Sequence, residues 1–106
     1  MNEFTVLGVL ESVGPLEETS SGIKVVNFVI TVTRPFKSNQ SADEFKVTAF
    51  KELAEDITSS AIIGTSVLVR GRLQSNNYRK DDKVYYSPEL LAEKVLYVLR
   101  EKKGIR

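Results

Sequence analysis

Apolar and polar positions alternate with a period of two over residues 67–74. Val67, Val69, Gly71 and Leu73 fall on one side, and Leu68, Arg70, Arg72 and Gln74 on the other. The pattern predicts a strand with one dry face and one face carrying guanidinium groups. Gly71 inside the run predicts a bulge or a sharp bend. A polar stretch, SNNYRKDDK, follows, and Val84-Tyr85-Tyr86 resumes the extended pattern, so a long hairpin is predicted with Tyr78 and the basic residues Arg79, Lys80 and Lys83 at or near its tip. The longest alternation runs from Ile23 to Thr33 and is rich in β-branched residues. It places Val26, Phe28, Ile30 and Val32 on one face, as core. Shorter strands are predicted from Phe4 and over Glu44–Phe50, with turns at Gly14-Pro15 and Thr19–Gly22, and Pro35 closing the second strand.

The period changes over Lys51–Ser60, where Leu53, Ala54 and Ile57 stand at helical spacing. The last segment carries two patterns. Ser87-Pro88-Glu89 has the features of a helix start, with Leu91, Val95, Val98 and Leu99 as a helical stripe behind it. Alternation over residues 95–99 also permits a strand; the local signals favour the helix.

Composition narrows the chemistry. A chain of 106 residues predicts one domain over 1–106 that buries its own core. It contains no cysteine and no histidine. The usual nucleophile, general base and zinc ligands are therefore missing, which argues against an enzyme and predicts no metal or cofactor. No apolar run approaches about 20 residues and the N-terminus has no leader pattern, so a cytoplasmic protein with no membrane partner is expected.

The net charge of +1 does not by itself suggest a nucleic acid, but its distribution does. Residues 1–23 hold four acids and no base, whereas residues 70–83 hold five bases and two acids. A chain close to neutral overall can still offer a positive track to phosphates. Tyr78, an aromatic residue among cations on a projecting hairpin, suits the flat bases and charged backbone of a single strand.

Three strands, a helix and at least one further strand make the order of an all-β OB-fold, a five-stranded Greek-key barrel with one helix between strands 3 and 4. The sequence also resembles the bacterial single-stranded DNA-binding protein family. The residues that carry the resemblance are Asn2 with Val6-Leu7-Gly8, Val26-Asn27-Phe28, Thr33-Arg34-Pro35-Phe36, Phe50-Lys51-Glu52-Leu53-Ala54-Glu55, Gly64-Thr65-Ser66-Val67, and Gly71-Arg72-Leu73-Gln74 leading to Tyr78. Their order and spacing together carry the likeness, which covers roughly residues 1–99.

The resemblance implies single-stranded DNA as partner, roles in DNA replication, repair and recombination, and a homo-oligomer, a tetramer or otherwise a dimer. It implies base stacking on Phe36, Phe50 and Tyr78, and places a fourth aromatic near Phe45. Phe45 and Phe50 are five residues apart, on opposite faces of a regular strand, so either a bulge realigns them or Phe45 points into the barrel. Arg34, Lys37, Arg72, Arg79 and Lys80 are the expected phosphate partners.

Departures qualify this reading. Val9, Glu17 and Glu18 stand where the family typically has arginines. Glu3 and Arg70 suggest a reversed ion pair, between subunits in one version of the idea. The family's tail with an acidic tip has no counterpart before Arg106, so tail-mediated protein partners are not expected. The family also makes the last segment a strand; extended structure is expected over 84–92, and 93–103 stay open. A second reading is an OB-fold protein-interaction module, such as a primosome-assembly factor.

Overall fold

The computed structural model describes residues 1–35 and 42–98. Five long strands do most of the work: β1 (Phe4–Val13), β3 (Lys24–Thr33), β4 (Ala42–Phe50), β5 (Ser66–Ser75) and β8 (Pro88–Val98). The short β2 (Glu17–Glu18) pairs with β3, and β6 (Tyr78–Lys80) pairs with β7 (Lys83–Tyr85) as a separate two-stranded sheet. The one helix, α1 (Lys51–Ser60), lies between β4 and β5.

The sheet runs β1-β5-β8-β4-β3, and β1 also pairs with β3, which closes it. All barrel seams are antiparallel except β4 with β8. The result is the closed OB-fold barrel that the element order predicts, with the helix between the third and fourth barrel strands.

Two glycines allow the closure. A Cβ on Gly8 would stand 2.6 Å from the Thr31 carbonyl oxygen, and one on Gly71 would stand 1.9 Å from that of Leu91. Gly71 therefore marks a near-contact between the β5 and β8 backbones. The ladder slips beside it, because Arg70 pairs with Lys94 and Gly71 with Ala92, leaving Glu93 as the extra residue on β8.

Alternation delivers the core. Val26, Phe28 and Ile30 from β3, Val47 and Ala49 from β4, and Val67 and Val69 from β5 are buried together with Leu10. Ala54 and Ile57 of α1 join the same cluster, so the helix covers apolar barrel interior with the face its spacing predicts.

The local helix signal at Ser87-Pro88-Glu89 is overruled. Pro88 opens β8, where its missing N–H leaves no gap in a ladder, and ten residues of β8 pair with β5. Residues 93–98 are thus strand, and the rest of the open stretch lies outside the described residues. Extended structure over 84–92 is interrupted at Tyr86 and Ser87, where the hairpin ends and the barrel strand begins.

Candidate nucleic-acid interface

Phe50 owes its position to an abrupt change of backbone direction. It is the last residue of β4, extended at φ −125° and ψ 158°, and pairs with Val25. Lys51 follows in the left-handed region at φ 62°, so the chain passes from strand to helix with no linker. The turn leaves Phe50 on the outside of the barrel, 39% exposed.

Residues two and four places before Phe50 share its face, which brings Thr48 and Lys46 beside it. The register with β3 sets Thr48 opposite Asn27 and Lys46 opposite Val29. Asn27 and Thr48 are joined by a hydrogen bond of 2.7 Å from the Thr48 hydroxyl to the Asn27 side-chain oxygen. Lys46 makes no ion pair among the described residues. It belongs to the candidate surface, and counting back from Phe50 by twos finds it.

Phe45 is corrected by the same parity. The β3–β4 ladder runs without a slip from Val25–Phe50 to Thr33–Ala42, so no bulge realigns it. Phe45 stands on the face of Val47 and Ala49 and packs against the core cluster.

The register carries this row across the barrel through Leu91, which is itself buried. Asn27, Thr48, Leu91 and Arg72 occupy one row over β3, β4, β8 and β5. Arg72 is therefore two strand spacings from Thr48, roughly 10 Å. Its guanidinium donates to the Gln74 side-chain oxygen at 3.1 Å and stands 3.9 Å from a Glu93 carboxylate oxygen.

Arg34 is engaged more firmly. Its Nε and one terminal nitrogen both donate to one Asp43 oxygen, at 3.0 and 2.6 Å. The hydrogen bond with Arg34 holds the Asp43 carboxyl below its ordinary pKa, and the guanidinium is correspondingly raised by Asp43. A phosphate that recruits Arg34 must displace this carboxylate. Arg70 and Glu3 are 3.8 Å apart within one chain, so the pair exists inside the subunit. Phe36 and Lys37 lie outside the described residues.

Beyond Ser75 the hairpin projects from the barrel. Asn77 fixes its root by accepting the Ser87 amide at 2.9 Å, and the Asn76 amide donates to the Ser87 carbonyl at 2.8 Å. Asp81 and Asp82, at φ 53° and 64°, make the two-residue turn. Two successive left-handed residues match the twist of paired strands, and aspartate tolerates that region better than most side chains. The turn sets Tyr78 opposite Tyr85, Arg79 opposite Val84, and Lys80 opposite Lys83.

Tyr78 is 56% exposed and stacked on Tyr85, with ring centroids 5.2 Å apart and planes 16° from parallel. Asn77, Tyr78, Arg79 and Val84 line a shallow hollow of about 210 Å³. Sequence reasoning missed Tyr85 and Lys83, because only the turn register shows them opposite Tyr78 and Lys80. The structure thus unites Phe50, Lys46 and Arg72 on one outer surface and carries Tyr78, Arg79 and Lys80 on the hairpin above it.

The model of the single-strand binding protein family matches residues 1–98. Single-stranded DNA-binding protein 3 of Listeria innocua is 32% identical over 108 aligned residues, covering 98% of this chain and 68% of that one. The single-stranded DNA-binding protein of Oceanobacillus iheyensis is also 32% identical, covering 98% and 66%. Single-stranded DNA-binding protein 1 of Staphylococcus aureus strain Mu50 is 30% identical, covering 92% and 65%. The chain therefore spans about two thirds of the length of these curated relatives. Among solved structures, the small single-stranded DNA-binding protein from Streptomyces coelicolor superposes with a TM-score of 0.69 at 20% identity. That match covers 92% of this chain and 94% of the other, and supports the fold.

Proposed function

From the premise that this chain belongs to the single-strand binding protein family, we propose that it coats single-stranded DNA with little regard to sequence. It acts by binding and catalyses nothing. The observation that carries the reading is Phe50, an aromatic ring left outside the barrel beside Lys46 and Thr48, with a second exposed ring, Tyr78, on the hairpin. Aromatic faces accept any base, at roughly 1–3 kcal/mol per stacked base. Lys46, Arg72, Arg79 and Lys80 supply positive charge for phosphates, with Arg34 where a phosphate displaces Asp43, and we keep Phe36 and Lys37, which follow β3 in the sequence, in the proposed set. No base-reading group is required of this surface.

We assign the working form to a homo-oligomer, a tetramer or otherwise a dimer. Leu7, Leu68 and Leu96 form an outward row across β1, β5 and β8, with Val9 and Val98 in the next row. Leu7 is 58% and Leu96 47% exposed, an apolar patch that a second copy would cover. Among the described residues no helix is long and apolar enough to cross a membrane. A DNA-coating role places the protein in the cytoplasm.

The test is a titration of the full chain with oligo(dT), with duplex DNA and RNA as comparators at matched salt, and sedimentation of the free protein. Tight binding to oligo(dT) and much weaker binding to duplex are expected. Phe50→Ala should weaken binding at unchanged salt slope, since stacking releases no counterions, with the melting temperature followed in parallel because Phe50 is only 39% exposed. Equal affinity for duplex and single strand refutes the reading. A monomer at micromolar concentration refutes the oligomer.

A further inference from the structure

We infer that one face of the β6–β7 hairpin is a nucleotide seat in which Tyr85 and Lys83 take part alongside Tyr78 and Lys80. The inference rests on the proposed single-strand binding and says how the hairpin performs it.

Two cross-strand pairs carry the argument. The hairpin register sets Tyr78 opposite Tyr85 and Lys80 opposite Lys83. Because side chains alternate along a strand, these four share one face, and Arg79 with Val84 occupies the other. Directly opposed side chains on a strand pair have Cβ atoms about 4.5–5.5 Å apart, and like charges in that position repel. Neither lysine makes an ion pair among the described residues, with Asp81 and Asp82 of the turn included. An isolated hairpin gains nothing from two facing ammonium groups; an anion placed between them reverses the sign.

The neighbouring pair supplies the rest of a nucleotide's surface. The Tyr78 and Tyr85 rings lie 5.2 Å apart and 16° from parallel, so each ring covers one face of the other. Tyr85 holds Tyr78 in a fixed orientation before DNA arrives, and a base extends the stack on an open outer face. Fixing the platform beforehand lowers the entropy lost on binding. The phosphate of the stacked nucleotide then falls towards Lys80 and Lys83, one residue pair along the same face. Tyr85 is a positioning and stacking residue in this arrangement, and Lys83 a direct phosphate contact.

The experiment titrates the full chain and its variants with oligo(dT) across a salt series, with thermal melting in parallel. Lys83→Ala should reduce the slope of log affinity against log salt by about 0.7, the value of one phosphate contact on single strands. Its melting temperature should hold or rise, because a repulsive pair is removed. Tyr85→Leu should weaken binding about 5-fold or more at unchanged slope, the low end of one stacked base, and Tyr85→Phe should restore it. Parent affinity and slope in both Lys83→Ala and Tyr85→Leu, with Tyr78→Ala weakened, overturn the seat and leave single-strand binding standing. A larger slope change in Arg79→Ala than in Lys83→Ala also overturns it, by moving the phosphate to the opposite face. Loss of thermal stability in Lys83→Ala at the parent slope overturns it too. Equal affinity of the parent for oligo(dT) and duplex at matched salt instead removes the single-strand reading itself, and parent affinity in both Tyr78→Ala and Phe50→Ala removes its stacking assignment.

Discussion

Gly71→Ala tests whether the barrel closes by backbone contact at the root of the hairpin. The added methyl would stand 1.9 Å from the Leu91 carbonyl oxygen, 2.9 Å from its carbonyl carbon and 3.0 Å from the Ala92 Cα. All three atoms are backbone, so no side chain can swing away. Relief requires β8 to move outward by more than about 1 Å, at the point where the β5–β8 ladder already slips past Glu93. Overpacking of this kind costs typically 1–3 kcal/mol, and a rigid ladder places it at about 3 kcal/mol. For a domain near 100 residues that lowers the melting temperature by about 12–24 °C. The displaced rungs include Arg72 with Leu91, so affinity for oligo(dT) should fall well below the new melting temperature as well. Gly22→Ala is the comparator: nothing lies within 4 Å of its added methyl, and only its φ of +84° opposes the change. That costs about 1–2 kcal/mol. Circular-dichroism melts and urea titrations read both. A Gly71→Ala melting temperature within about 4 °C of the parent, or below that of Gly22→Ala by no margin, would refute the reasoning.

Three further substitutions follow from local geometry. Lys51→Gly should stabilise the fold by about 0.5–1 kcal/mol in urea titrations, because Lys51 holds φ 62° where glycine is unstrained; a loss of stability would contradict it. Tyr97→Phe should raise the melting temperature, since the Tyr97 hydroxyl is buried with no hydrogen-bond partner among the described residues and costs about 1 kcal/mol or more. Asp43→Asn should release Arg34, tightening oligo(dT) binding and steepening its salt slope by up to about 0.7. The Arg34 pair depresses the Asp43 pKa in the folded state, so its contribution to stability is complete above the ordinary carboxylate pKa and lost only as pH falls through the folded value. The melting-temperature difference between parent and Asp43→Asn should therefore stay constant from pH 7 to about pH 5 and shrink at lower pH; a change between 7 and 5 would point to another group.

Periodicity made the barrel legible wherever one face of an element is dry. The helix occupies the ten residues whose spacing predicts it, and of the β3 face that alternation selects, Val26, Phe28 and Ile30 are buried while Val32, near the strand's end, is only half-buried. Gly71 was readable as a bend, but the Leu91 carbonyl that makes it necessary is a long-range neighbour and left no local trace. The local signal at the last strand misleads for the same reason. Ser87-Pro88-Glu89 advertises a helix start, and what overrules it is a ten-residue ladder to β5 that no window over residues 87–98 contains. On the candidate surface, the five-residue interval from Phe45 to Phe50 foretold their opposite faces. Lys83 and Tyr85 stayed hidden because the turn uses Asp81-Asp82 in place of a glycine-containing pair, so the sequence offered no signal to fix the hairpin register.

The disposition of cations explains how a nearly neutral chain can bind a polyanion without reading it. Arg34, Arg70 and Arg72 stand beside Asp43, Glu3 and Glu93. Exposed pairs of this kind add little to stability; Arg34 hydrogen-bonds its carboxylate, whereas Arg70 and Arg72 bring Nε only to 3.8 and 3.9 Å of theirs. Lys46, Lys80 and Lys83 have no such partner among the described residues, and neither does Arg79. The difference matters chemically. An arginine fork can recognise the paired acceptors of one particular base, whereas an ammonium group is a compact charge with no preferred plane. A surface that leaves lysines free beside Phe50, Tyr78 and Tyr85 attracts phosphates and accepts any base. Freeing the three paired arginines would raise affinity through charge. The ion pairs thus limit affinity, while Arg79 and the three lysines offer charge that displaces no carboxylate.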